Sequence, residues 1–327
     1  MQDLLLLNEL FKAMKVRATA EFVKEGLRTR KYYINLHLGE KISKIKAIGQ
    51  EISLQIKSLS LPVFSLDTVT GHIVIETTTN DSPITIPLKN IINKIDLSNY
   101  ELPLVLGCDM DSNPYVLDLA KAPHVLIGGT TGGGKSILCR TLLYSILHKQ
   151  SSPSVIFGLI DPKGNQLVDF KSKTNHHVSS YQDSVNMLQQ LVEEMENRYR
   201  RMSKKGVRTI QELRMKENHP YIVVLIDELA DIILADKDKS FFTHLVKLLQ
   251  KAREAGIHII ANTQRPSSDI IKGLIKSNMP VQIALKTSSQ TDSRIIIGEA
   301  GAEALVGMGD MLVNAYGKIV RVQGAFS

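Results

Sequence analysis

The run Gly128-Gly129-Thr130-Thr131-Gly132-Gly133-Gly134-Lys135-Ser136 constrains this chain more than any other stretch of it. Gly129, Gly134, Lys135 and Ser136 fill the spacing G-x-x-x-x-G-K-[ST]. A polyphosphate needs bare backbone N–H groups at close range, and only glycine lets a backbone come that near. In such a loop the lysine bridges the β- and γ-phosphates as a point charge and the hydroxyl holds Mg2+. Ahead of the loop, Val125-Leu126-Ile127 is a short apolar run that reads as a buried strand. Behind it, Ile137 to Lys149 carries Leu138, Leu142, Leu143, Ile146 and Leu147 at helical spacing. Strand, loop, helix sets a helix N-terminus against the anion. The expected nucleotide contacts are Gly129, Thr130, Thr131, Gly132, Gly133, Gly134, Lys135, Ser136 and Ile137, with Ser136 also a metal ligand.

The rest of the chain falls into two textures. Residues 1–100 hold short strand-like runs (Tyr32 to Leu38, His72 to Thr77, Ile84 to Pro87) and one amphipathic helix with Ile42, Ile45, Ile48, Ile52, Ile56 and Leu59 on a face. That predicts a small α+β domain. A stretch from Pro103 to Pro123, with turn signals at Gly107 and at Asp111-Ser112-Asn113-Pro114, leads into residues 101–327. There, strand and helix alternate. Val125–Ile127, Val155–Ile160, Ile222–Ile226, His258–Ala261 and Val281–Leu285 are near-continuous apolar runs, as in a parallel sheet covered on both faces. Helices are expected over Ser184 to Met202 and Phe241 to Ala255, and a closing hairpin turns at Tyr316-Gly317. The fold class is α/β: a RecA-like P-loop core with a mainly parallel sheet behind a small α+β domain.

Composition narrows the setting. A chain of 327 residues with 43 % hydrophobic and 22 % charged residues has ample core for a globular protein. No apolar run approaches the ~18–20 residues that span a bilayer, and Leu4 to Leu7 has no basic segment ahead of it to make a signal peptide. The net charge of +7 favours a polyanionic partner. The two cysteines, Cys108 and Cys139, have no metal-ligand spacing, and Cys139 sits in the apolar pattern of the loop's helix. A reducing cytoplasm is the expected compartment.

Three more strand ends carry polar candidates. Ile222 to Ile226 runs into Asp227-Glu228, which brings Asp227 to the Mg2+ shell and Glu228 to a water placed for in-line attack. The next strand ends in Thr263-Gln264-Arg265-Pro266, where Gln264 is positioned to sense the γ-phosphate. Asp161, at the end of Val155–Ile160, either supports the attacking water or caps the turn at Pro162-Lys163-Gly164. Residues 197–216 hold Arg198, Arg200, Arg201, Lys204, Lys205, Arg208, Arg214 and Lys216 against Glu212, either a phosphate-facing element or a solvated helix face. With no tryptophan and 5 % aromatics, stacking on single-stranded bases is disfavoured.

These marks, with Glu194 to Tyr199, Lys251 to His258, Gly273 to Lys276, Asp292-Ser293-Arg294 and Gly307 to Leu312, resemble in their order the FtsK/SpoIIIE DNA translocase motor. The resemblance covers about residues 101–326 and extends more loosely over residues 1–100. It implies a homo-hexameric ring that pumps double-stranded DNA using ATP and Mg2+. It gives Lys135, Ser136, Asp227, Glu228 and Gln264 the roles argued above, and matches Arg253 and Arg294 to arginines that reach the nucleotide at a subunit boundary. Arg265 and Lys276 match positions that contact the DNA backbone, and the resemblance places a second channel loop just after residues 197–216. Gln290 stands where the family often has lysine, and Gly133 where it often has serine. Neither a winged-helix segment after the motor nor a membrane segment before it is read in the sequence. The expectation is a motor whose membrane partner, if any, acts in trans. Alternatives are a conjugation-type coupling ATPase of a mobile element, and a related ATPase that drives protein secretion. The cations at Arg265, Lys276 and 197–216 favour nucleic acid over polypeptide.

Overall fold

The computed structural model describes residues 2–26, 29–78, 85–149, 154–164, 170, 173–271 and 273–327. The first part comprises α1 (Gln2–Ala13), β1 (Ala18–Glu25), β2 (Thr29–Leu36), α2 (Ile42–Ala47), α3 (Gly49–Gln55), β3 (Val63–Leu66) and β4 (Ile73–Thr78). Its strands form an antiparallel sheet in the order β1-β2-β4-β3. The helix expected from Ile42 to Leu59 is broken in two. Ile48 leaves helical geometry at φ −96°, ψ 24°, directly before Gly49, the poorest helix former in the stretch. Ile45, Ile48 and Ile52 still share one core with Leu7, Phe11 and Ile75, while Ile42 and Leu59 at the two ends are exposed. β1 was not anticipated, because Ala20 is its one buried side chain and its apolar alternation is weak. Ile84 of the expected Ile84–Pro87 run lies outside the described residues.

The second sheet is built from β5 (Ile86–Pro87), β6 (Pro103–Asp109), β7 (Pro114–Asp118), β8 (His124–Gly128), β9 (Val155–Ile160), β10 (His176–Val178), β11 (Tyr221–Ile226), β12 (Ile257–Thr263), β13 (Val281–Leu285), β14 (Asp310–Ala315) and β15 (Lys318–Phe326). Its eleven strands run β10-β9-β11-β12-β8-β13-β14-β15-β6-β7, with β5 beside β15. From β10 to β13 every pairing is parallel. β11 is buried along its whole length, and β9 and β13 nearly so, which is why these strands read as unbroken apolar runs. The helices are α4 (Leu88–Ile92), α5 (Lys135–Lys149), α6 (Tyr181–Lys205), α7 (Ile210–Arg214), α8 (Leu229–Ala235), α9 (Ser240–Lys251), α10 (Gly273–Ser277) and α11 (Gln290–Ile297). α5 and α7 contribute to one apolar layer; α6, α8, α9 and α11 contribute mainly to the other. No helix among the described residues is long and apolar enough to cross a membrane.

Past β13 the sheet turns antiparallel through β14, β15, β6 and β7. The β6–β7 hairpin is a part that sequence periodicity did not show. Gly107, which reads as a turn signal, lies inside β6 at a register shift and at φ +151°. A Cβ there would sit 2.0 Å from the Gln323 carbonyl of β15, so only glycine permits the approach of the two strands. The two sheets are joined by a buried ionic cluster. Arg321 of β15 donates to Asp310 Oδ2 at 2.7 Å, to Glu76 Oε1 of β4 at 3.3 Å and to Thr78 Oγ1 at 3.2 Å.

Candidate functional site

The glycine-rich run forms the turn between β8 and α5, as expected. Gly129, Gly132 and Gly134 adopt φ of +152°, +80° and +106°. A Cβ on Gly129 would press on Leu285 and the Lys286 carbonyl at 3.0 and 3.1 Å, and one on Gly134 would lie 2.9 Å from the Gly309 amide. The loop is therefore walled by the end of β13 on one side and by the Gly307–Gly309 turn on the other. Thr130 N donates to Lys286 O at 2.8 Å, and Gly309 N to Gly133 O at 3.0 Å. α5 begins at Lys135, so its N-terminus faces the loop.

Lys135 is buried, and its ammonium donates to the Gly129 and Thr130 carbonyls at 2.6 and 2.7 Å. Burial draws its pKa below the usual lysine value, against the pull of Glu228 and Asp227. Beside the loop lies a cavity of 230 Å³, lined in part by Gly132, Ile137, Met308, Gln323 and Phe326, with Thr85 reaching it from the segment between the sheets. Most of this lining is apolar.

The sheet order sets the rest. β12 lies between β8 and β11, so the carboxylates that follow β11 are two strands from the glycine loop. The register pairs Ile226 with Ala261, which brings Asp227 level with Asn262 and Glu228 level with Thr263. Asp227 is buried, and burial, then the Asp161 carboxylate, push its pKa up to about 6; a hydrogen bond with Asn262 works the other way. Among the described residues, Asp227 Oδ1 has no hydrogen-bond partner. An orphaned buried carboxylate oxygen fits a hard cation such as Mg2+, which takes oxygen ligands from a carboxylate, a hydroxyl and substrate phosphates. Asp161 Oδ1 accepts from the Lys163 and Gly164 amides at 3.2 and 2.8 Å, so its carboxylate caps the turn after β9.

Glu228 is also buried, and its carboxylate leans onto the end of β12. Thr263 Oγ1 donates to Oε1 at 2.9 Å, and Gln264 N lies 3.1 Å from both oxygens. The Gln264 side chain accepts from Thr131 Oγ1 of the glycine loop at 3.0 Å. Lys135, Asp227, Glu228 and Gln264 thus gather at one end of the parallel strands.

The remaining residues are placed elsewhere. Arg253 follows α9 and precedes β12, at the opposite end of a seven-residue strand, roughly 20 Å away at the usual rise. It is exposed and 3.6 Å from Glu254. Arg294 is exposed on α11, 3.3 Å from Gln290 Oε1, while Ile296 of the same helix packs where a Gly128 Cβ would sit. Arg265 is exposed just past β12. Lys276 is held internally: its ammonium donates to the Arg294 and Ile295 carbonyls at 2.9 and 2.8 Å, in the last turn of α11. The basic stretch 197–216 lies at the N-terminal strand ends. Arg198 is buried on Glu194 and the Ala255 carbonyl, Arg214 stacks 4.4 Å over Tyr221, and Lys205 pairs with Glu217. Arg201, Lys204 and Arg208 face solvent. Sequence reasoning assigned no role to Thr263, Lys286, Gly309 or Gln323. The available signal was the place of Thr263 in the run Thr263 to Ser267 and of Gly309 in the run Gly307 to Leu312; Lys286 and Gln323 lie in neither.

The FtsK/SpoIIIE family model matches residues 92–268. DNA translocase SftA of Bacillus subtilis (strain 168) is 39 % identical over 339 residues, covering 98 % of this chain and 35 % of that protein. DNA translocase FtsK of Vibrio vulnificus (strain CMCP6) is 35 % identical over 349 residues, covering 96 % and 35 %. The chain therefore spans 35 % of the length of each of these two relatives. In fold it is similar to the solved structure of the pCW3 conjugation coupling protein TcpA, monomer form with ATPgS, at a TM-score of 0.70 and 22 % identity, covering all of this chain and 95 % of that one. The matched segment runs from the end of α4 to just past β12 and takes in the glycine loop and the Asp227-Glu228 pair, and the chain belongs to the FtsK/SpoIIIE family.

Proposed function

We propose that this chain is an ATP-driven double-stranded DNA motor acting in the cytoplasm as a homo-hexameric ring. Residues 101–327 form the motor in this reading, and residues 1–100 a small domain tied to it through Arg321 and through β5, which pairs with β15. The observation that carries the reading is the meeting of the glycine loop with Asp227, Glu228 and Gln264 at one strand end, in a chain whose relatives are named DNA translocases. Those names favour DNA over a secreted polypeptide as the cargo.

The chemistry assigned is hydrolysis of the β–γ phosphoanhydride. The loop amides and the first turn of α5 bind the phosphates, Lys135 turns from its carbonyl partners to the β/γ-phosphates, and the apolar cavity takes the base. Ser136 and Asp227 would hold Mg2+, which supplies charge neutralisation on the phosphate oxygens when bound. Glu228 takes the proton of the attacking water, whose oxygen bonds to the γ-phosphorus as the bond to ADP breaks. Gln264, already hydrogen-bonded to Thr131 on the glycine loop, senses whether the γ-phosphate is in place. Arg253 lies far from its own chain's loop, so it would serve a neighbouring subunit's nucleotide; Arg294 is the second boundary cation. Arg265 supplies a phosphate contact, which gives affinity without sequence reading. Lys276 belongs to the same DNA-facing segment, with its ammonium anchoring α11.

ATP turnover with and without long linear duplex DNA, at two salt concentrations, tests this function. Strong stimulation that weakens with salt is expected. Turnover indifferent to DNA in a hexameric chain would move the cargo to polypeptide.

A further inference from the structure

We propose that Thr263 is a positioning residue that holds Glu228 in check and ties its release to the segment beginning at Arg265; this rests on the reading of Glu228 as the base. A hydroxyl has one proton and two lone pairs. Here the proton is committed to Glu228 Oε1, at 2.9 Å, while the oxygen accepts from Arg265 N at 3.1 Å. Gln264 N, between them in sequence, reaches both carboxylate oxygens at 3.1 Å. Thr263 is fully buried and Glu228 nearly so, which leaves water little access to compete for these bonds. The orientation of Glu228 and the backbone position of Arg265 are therefore one variable, not two.

The direction of control follows from the chemistry. Hydrogen bonds donated to a carboxylate weaken it as a base, and they occupy lone pairs that a water must use. With Oε1 taken twice and Oε2 once, Glu228 is restrained. Releasing it needs the Arg265 backbone to shift, which draws the adjoining Gln264 amide off both oxygens and frees Thr263 to turn its hydroxyl away. Pro266 stiffens the connection: its ring fixes its own φ and keeps Arg265 extended, so a displacement beyond Pro266 reaches Arg265 with little loss. Arg265 is exposed and cationic, so a phosphate backbone is the chemistry that would pull it. β12 also lies between the strands of Glu228 and of the glycine loop, so the clamp stands on the route from cargo to nucleotide.

Thr263→Val keeps the shape and removes both hydrogen bonds; Thr263→Ser keeps the hydroxyl. ATP turnover is measured for both and for the full wild-type chain, without DNA and with long linear duplex, beside nucleotide affinity and thermal unfolding. Losing a charge-assisted hydrogen bond predicts a DNA-free rate about tenfold higher in Thr263→Val. The duplex-to-basal ratio should fall toward one with ATP affinity unchanged, and Thr263→Ser should restore the wild-type ratio. If Thr263→Val melts well below wild type, Thr263→Ala is read in its place with the same expectation. A DNA-free rate that falls or stays level while the stimulation ratio survives overturns the proposal. A wild type that hydrolyses ATP without responding to DNA defeats the cargo reading, yet a raised DNA-free rate in Thr263→Val alone would still uphold the clamp. A wild type without turnover defeats the reading of Glu228 and the clamp with it.

Discussion

Arg321 of β15 and Glu76 of β4 meet at 3.3 Å with both side chains nearly closed to solvent, and the same guanidinium is 2.7 Å from Asp310 of β14. One cation thus satisfies carboxylates from both sheets. Asp310 also accepts from Val306 N, and the 307–309 turn beside it touches the glycine loop through Gly309 and Gly133. Removing the cation leaves two buried carboxylates facing each other. Arg321→Ala is expected to cost about 3–5 kcal/mol of stability in chemical denaturation. A loss under ~1 kcal/mol, the range of an exposed pair, would show that the cluster is solvated.

Asp227 gives a pH signature with a definite sign. Its carboxyl titrates near 6 in the fold against 3.8 unfolded, so the folded chain keeps a proton that the unfolded chain has released. Stability should therefore fall as pH rises from roughly 4 to 6 and stay lowered above that, by up to about 3 kcal/mol for this group. Asp227→Asn removes that cost. Its melting temperature should exceed the wild-type value at pH 7.5 and converge with it below pH 4. The wild type alone should gain stability from Mg2+ with nucleotide. A variant that melts lower at pH 7.5 would mean that the carboxylate is structurally required.

Lys276 has a role in the free protein as well as its proposed place near DNA. Its bonds to the Arg294 and Ile295 carbonyls cap α11, and Lys276→Ala should cost about 1 kcal/mol of stability without any DNA present. If the ammonium also meets a phosphate, the salt slope of duplex binding drops by about 1. Unchanged stability would place the side chain in solvent.

The hydrolytic assignments separate by two variants. Lys135→Ala should abolish ATP turnover, because it removes the phosphate-bridging charge. Glu228→Gln should bind ATP with affinity near wild type yet turn over at least ~100-fold more slowly, as expected for loss of a general base. Loss of nucleotide binding in Glu228→Gln, measured by calorimetry, would instead make the residue structural.

Much of this was legible in the sequence, for a physical reason. β9 and β13 appear at their sequence-read bounds because both of their faces are buried, so every residue carries the signal. The same rule hid the end of β12. Asn262 and Thr263 are polar yet buried, so an apolar pattern stops at Ala261, short of the residues that hold Glu228. That contact joins residues 35 apart and exists only through the β11–β12 register. Gly107 was misread because a glycine marks close backbone approach as readily as a turn, and its partner, Gln323, is remote in sequence. The internal tie of Lys276 was equally invisible, since a lysine within a short glycine-led helix looks the same whether its charge faces phosphate or carbonyls.

Motion along DNA is the central claim, and displacement of a third strand annealed to a linear duplex reads it directly. The account predicts that the chain strips the third strand in the presence of ATP and Mg2+, faster at low salt, and that Lys135→Ala and Glu228→Gln do not. A chain that binds duplex and hydrolyses ATP in response to it, yet leaves the third strand in place from either end, would contradict translocation.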